Sequence, residues 1–124
     1  MKVLFHVNFP KSLAEALRVL HDMQDPQEIE IGRTIHFDVT DPANTAVFVV
    51  DKGIRGLDIS TEKQFQAGFK VFALKLAPNT PCTPFKLALV TLQHWPKILQ
   101  LISQTSTPFI YTYSLNGKLP KQVK

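Results

Sequence analysis

The chain has little of what redox and zinc proteins are built from. Of its 124 residues, one is cysteine, Cys82. A lone cysteine excludes an internal disulfide and every zinc motif that needs paired cysteines. The 5 glycines are scattered, so no glycine-rich loop is there to cradle phosphates. No apolar run approaches the roughly 20 residues of a membrane span. The opening Met1-Lys2-Val3-Leu4-Phe5 is apolar only briefly; His6, Asn8, Pro10 and Lys11 follow too soon for a signal-peptide core. A cytoplasmic protein with no membrane partner is the expectation. Internal repeats, low-complexity tracts and linkers are missing too, so one domain over residues 1–117 is expected, followed by a loose basic tail, Lys118–Lys124.

What is present suits a folded domain. Hydrophobic residues make up 44% and charged residues 19%, a balance that supports a buried core rather than disorder. Lys+Arg number 14 against 10 Asp+Glu, and the pI is near 9.3. That balance is compatible with a polyanionic partner such as RNA, and equally with a plain solvated basic surface.

Periodicity places the elements. Val3-Leu4-Phe5 reads as a short buried strand. Leu13, Ala16, Leu17 and Leu20 fall on one face of a helix that starts at Pro10 or is capped by Ser12, and that Asp25-Pro26 ends. Gln27–Gly32 alternates like a half-solvated strand near a sheet edge. Arg33–Asn44 is rich in turn formers. Ala46–Val50 and Val71–Leu74 are apolar runs of the kind buried on both faces of a parallel sheet. Between them Ser60–Gly68 reads as a short helix capped by Ser60 or Thr61. Thr83-Pro84 is an N-cap and first-turn pair for a long helix. Trp95-Pro96 is expected to break or kink it, because Pro96 has no amide hydrogen. Phe109–Tyr113 is a final strand, and Asn116-Gly117 a turn.

Buried strands alternating with helices predict an α/β three-layer sandwich. Its mostly parallel sheet would have about five strands, joined by right-handed crossovers with helices on both faces. Ligands bind such sheets outside the carboxyl ends of the strands. That rule singles out His6–Asn8, Asp51–Arg55 and Lys75–Asn79.

Several segments together resemble a known family. Met1–Phe5, Asn8, Leu13-Ala14 and Ala16-Leu17-Arg18 resemble the opening of PIN-like domains of VapC-type toxins. Those begin with a strand, an Asp-Asn-Asn or Asp-Glu-Asn triplet, and a helix starting near proline. Asp51-Lys52, after the buried Val47–Val50, is similar to the family's second acid-bearing strand end. Val71–Leu74 resembles the strand that follows. His94-Trp95-Pro96-Lys97-Ile98-Leu99 is similar to a Trp-Pro-Arg-Ile segment, and Pro108–Tyr111 with Gly117-Lys118-Leu119 resembles the C-terminal strand and turn. The likeness spans most of the chain except residues 22–45.

The resemblance implies a metal-dependent endoribonuclease toxin with an antitoxin partner, RNA as substrate, and a homodimeric state. Carboxylates at strand ends would hold Mg²⁺ or Mn²⁺, since hard cations want oxygen ligands, and the metal would activate water against a phosphodiester. The chain departs from that pattern. His6 stands at the first family aspartate and Val7 at the second triplet position, while Asn8 keeps the third. The family's acidic helix is not legible, although Asp38 and Asp41 fall in its stretch.

The candidate catalytic residues are therefore Asp51, His6 and Asn8. The candidate metal ligands are Asp51, His6, Asp38 and Asp41. Lys52 and Arg55 are candidates for RNA phosphates. Each has a plainer role: Asp51 capping a turn with Gly53, His6 hydrogen-bonded at a strand end, Asn8 capping the first helix, Asp38 and Asp41 as loop residues, and Lys52 and Arg55 as a solvated turn. Trp95 reads as core packing against the last strand, or as a surface on which a base stacks. The second reading of the chain is a catalytically inactive PIN-like binding or regulatory module. A third, a flavodoxin-like nucleotide or regulatory domain, fits the alternation with no motif behind it.

Overall fold

The structure, a computed structural model, describes residues 1–24, 29–37, 41–77 and 81–124. The elements run β1 (Lys2–His6), α1 (Lys11–Gln24), β2 (Glu30–Thr34), a 3-10 turn (Pro42–Asn44), β3 (Thr45–Asp51), α2 (Ile59–Gln66), β4 (Lys70–Lys75), α3 (Pro84–Gln104), β5 (Phe109–Ser114) and β6 (Lys121–Gln122). The expected break at Asp25-Pro26 and the residues Gln27-Glu28 lie outside the described residues. Among the described residues, no helix is long and apolar enough to cross a membrane.

The six strands form one sheet in the order β2-β1-β3-β4-β5-β6. All neighbours are parallel except β5 and β6, which are antiparallel. The four strands read from the apolar runs therefore share one sheet, as their burial predicts, and β2 lies at an edge. The C-terminal residues differ from expectation. Lys121 and Gln122 pair with β5, and the Lys124 ammonium reaches Glu62 Oε1 at 3.1 Å. Edge pairing and an ion pair hold what the sequence presents as a loose tail.

Two buried clusters define the layers. Val3, Phe5, Ala46, Phe48, Phe72, Leu74, Phe109 and Tyr113 share one face with Leu13, Ala14 and Leu17 of α1 and Leu87, Val90, Trp95 and Ile98 of α3. Val47, Val49, Val71, Ala73 and Ile110 form the other face, with Phe65 of α2 against it. Helices α1 and α3 thus cover one face and α2 the other. The chain moves from β1 to β2 in one direction along the sheet, and from β4 to β5 in the opposite direction. Two crossovers travelling in opposite directions on one face have opposite hands. The expectation of uniformly right-handed crossovers is therefore corrected: the α3 connection has the opposite hand from those through α1 and α2. Crossovers of the rarer hand are about 2% of such units.

The register aligns an aromatic ladder. Phe5 pairs with Phe48, Phe48 with Phe72, and Phe72 with Tyr111. The ring centroids are 4.4, 4.9 and 6.1 Å apart in turn. Phe9 meets Phe5 edge-on at 5.2 Å, and Trp95 stacks on Phe5 at 6.3 Å. Trp95 is buried core packing, and its ring contacts are with Phe5 of β1 and Phe48 of β3 rather than with the last strand.

The helices follow the sequence with three differences. The buried face of α1 is Leu13, Ala14, Leu17 and His21, while Leu20 is exposed. Ala14 belongs to the core cluster, so the buried stripe is turned from the expected one. Thr83 caps α3 as predicted, its Oγ accepting from the Lys86 amide at 3.2 Å. Neither Ser60 nor Thr61 caps α2, which has Asp58 at its N-cap. The predicted break at Pro96 is not present: α3 is helical from Pro84 to Gln104, with Pro96 inside it. Pro96 faces solvent, and Trp95 and Ile98 on either side are buried. Burial of those neighbours outweighs the one hydrogen bond that the ring removes.

Candidate functional site

At the carboxyl end of β3, Asp51 turns toward the α2 face. Its side chain is 0% exposed. Oδ1 accepts from the Gly53 amide at 2.9 Å and from Lys75 Nζ at 2.8 Å. Oδ2 accepts from the Asp58 amide at 2.9 Å and from Thr61 Oγ1 at 2.7 Å. A carboxylate has about four lone-pair sites, so protein donors fill this one. Burial alone would raise the Asp51 pKa, but the bonds from Lys75, Asp58, Thr61 and Gly53 outweigh it and hold the carboxyl below its usual value.

Lys75 comes to this place through the sheet register, which pairs it directly with Asp51. Its ammonium also donates to Gly53 O at 2.9 Å and Gly56 O at 2.6 Å. Three oxygens thus hold one half-buried cation. The 51–58 turn folds over the pair, and a Cβ on Gly53 would lie 2.4 Å from Gly56 O. Asp58 completes the turn, its Oδ2 accepting from the Lys52 amide at 2.8 Å. Sequence reasoning marked Lys75 only as a strand-end residue and missed Thr61 and Asp58 as partners. The legible signal was two buried apolar runs, Ala46–Val50 and Val71–Leu74, followed by charges of opposite sign, Asp51 and Lys75.

The carboxyl end of β1 is built separately. The Asn8 amide donates to His6 Nδ1 at 3.2 Å, so the neutral imidazole carries its proton on Nε2. Arg33 pins the following turn, donating to Phe9 O at 2.9 Å and Val7 O at 2.8 Å. Burial, then the charge of Arg33 and the neighbouring His36, lowers the His6 pKa. Between this end and β3 lies a cleft of about 360 Å³. His6 lines it from the end of β1, Asn8 from the turn that follows, Ile35, His36 and Phe37 from the segment after β2, Val49 and Val50 from β3, and Ser60 and Gln64 from α2. The connections from β1 and β3 leave to opposite faces here, which makes it the switch point of the sheet. The strand order β2-β1-β3-β4-β5 is that of flavodoxin-like sheets, which bind ligands at this point; the placement of α3 is not theirs.

The other predicted site residues scatter. Asp41 precedes β3, where its Oδ2 accepts from Asn44 Nδ2 at 2.8 Å. That is the opposite end of the sheet from His6 and Asp51. The 7 residues of β3, at about 3.3 Å each, put roughly 20 Å between them. Asp38 lies outside the described residues. Lys52 and Arg55 are exposed on the turn above Asp51. His6 and Asn8 share one cleft, and Asp51 belongs to a different, closed network.

This arrangement does not fit Mg²⁺ or Mn²⁺. A metal at Asp51 would have to displace protein donors and sit beside the Lys75 ammonium, whose charge repels it. Among the described residues, no three His, Cys, Asp or Glu side chains are grouped to hold a metal. Compared with known proteins, the chain matches no family model, no curated protein and no solved structure.

Proposed function

We propose that the chain is a PIN-like α/β binding or regulatory module whose acid site is closed by an internal lysine. One observation carries this reading: all four acceptor positions of Asp51 are taken by Gly53, Lys75, Asp58 and Thr61. Carboxylates that ligate Mg²⁺ keep oxygens open to the ion and its waters. Here the ammonium of Lys75 neutralises the one strand-end acid whose family match is clearest. The competing reading, a ribonuclease toxin using Mg²⁺ or Mn²⁺ on RNA under control of an antitoxin, requires Asp51 to release Lys75 and at least part of the turn.

Calorimetric metal titration beside an RNA-cleavage assay tests the proposal. The expected result is no saturable Mg²⁺ or Mn²⁺ binding and no metal-dependent cleavage. Mg²⁺-dependent cleavage that Asp51→Ala abolishes would establish the nuclease reading in its place.

A further inference from the structure

We propose that the end of the molecule at the carboxyl ends of the parallel strands docks on a membrane surface bearing anionic headgroups, without crossing it. The inference goes beyond the module reading and does not depend on it. It reverses the sequence expectation of no membrane partner. No amphipathic run announces this surface, because its residues come from separate segments.

The topology gathers them. Strands β1 to β5 are parallel to one another, so the segments that follow them all leave at one end of the sheet. Among the described residues, the most exposed large apolar side chains are Ile35, Ile54, Ile59, Phe85 and Leu119, each at least 62% exposed. All lie on those segments. Ile35 follows β2, Ile54 and Ile59 follow β3, Phe85 follows β4 in the first turn of α3, and Leu119 follows β5. A single exposed isoleucine needs no explanation, but this concentration at one end does.

The same segments carry charge of one sign. Lys52, Arg55, Lys86 and Lys118 are exposed there, and none of them is in an ion pair among the described residues. The described carboxylates near them are engaged. Asp51 is held by Lys75, Glu62 by Lys124, Glu15 by Lys11 and Asp58 by the Lys52 amide.

The 51–58 turn is the fixed part of this end. Asp51 holds the Gly53 and Asp58 amides, and Lys75 holds the Gly53 and Gly56 carbonyls. Ile54 and Arg55 stand between these anchors, both exposed. An apolar and a cationic side chain are thus presented together on backbone that is already ordered, which lowers the cost of docking.

Apolarity and charge together select the partner. An anionic bilayer takes apolar side chains below its headgroups and cations among them. RNA would meet the cations and leave the isoleucines in water. A second copy of this end would bring like charges together.

The test is flotation of the whole chain in EDTA with vesicles of phosphatidylcholine, alone or with about one third phosphatidylglycerol. The anionic vesicles are expected to bind at least about tenfold more tightly than the neutral ones, and salt at about 0.5 M to weaken that binding. Ile54→Ser/Ile59→Ser and Lys52→Gln/Arg55→Gln are each expected to weaken it about tenfold or more. Val19→Ser, about two turns along α1 from this end, is the control without effect. Thermal melts establish that each variant is folded, and Phe85→Ser serves as a second probe should a turn variant fail to fold. No flotation at about 5 mM anionic lipid, equal binding to both kinds of vesicle, or binding that survives both double variants would overturn the inference. So would binding of a single-stranded RNA through Lys52 and Arg55 by a chain that does not float with the vesicles, which would put RNA at this end instead.

Discussion

At the residue scale, Asp51 is part of the fold before it is part of any chemistry. Asp51→Ala leaves Lys75, the Gly53 and Asp58 amides and Thr61 without their common acceptor. The expected loss is about 3 kcal/mol in urea unfolding, held to that size because Lys75 is partly solvated and can turn to water. An unchanged midpoint would show that the network adds nothing. The pH dependence follows from the sign of the shift. The folded carboxyl titrates below the usual 3.8, so its contribution is complete above that value and is lost as pH falls through the lowered folded pKa. Asp51→Asn is therefore expected to flatten the acid limb of stability below about pH 4; an unaltered limb would contradict this. Gly53 tests the same packing from the backbone side. Gly53→Ala drives a methyl group into Gly56 O and is expected to cost about 1–3 kcal/mol in thermal unfolding. The carboxylate at the strand end was legible in the sequence. Its closure was not, because it depends on a lysine 24 positions away and on which face of the sheet each residue takes.

At the scale of elements, the buried runs read well and the breaks read poorly. Ala46–Val50 and Val71–Leu74 announced their strands because strands buried on both faces have no polar alternation to obscure them. Pro96 misled because a local rule met a helix anchored along its length by buried side chains. The cost of that proline should still be measurable. Pro96→Ala returns a donor to the Leu92 carbonyl on an exposed position and is expected to raise stability by about 1–3 kcal/mol in urea unfolding; no gain would mean that α3 has relaxed fully around the ring. The same helix holds His94, 3% exposed, whose Nε2 has no hydrogen-bond partner among the described residues. Burial lowers its pKa, so the folded state resists the proton that the unfolded chain accepts. Stability is then complete above about pH 6.5 and falls as pH drops below it. Replacing the ring by an apolar one, His94→Phe, is expected to flatten the melting temperature between about pH 7.5 and 5. Part of the slope should remain, since His6 is shifted in the same direction.

At the scale of the molecule, sequence supplied the class and the contacts supplied the arrangement. An α/β sandwich with a mostly parallel sheet followed from the alternation of runs. The placement of α3 beside α1 did not, because no periodicity reports on which face a crossover takes. Nor did periodicity separate His6 from Asp51: both stand at strand ends, yet one lines an open cleft and the other closes a turn. At Asp51 the ammonium of Lys75 occupies the position that a metal would need. Mn²⁺ titration followed by paramagnetic broadening of amide signals measures this directly. In the native protein the amides of Gly53 and Asp58 should stay sharp. In Lys75→Ala they should broaden, because Asp51 Oδ1, Gly53 O and Gly56 O are then left as three oxygens without their cation. Broadening of those two amides in the native protein, to the same extent as in the variant, would contradict the account.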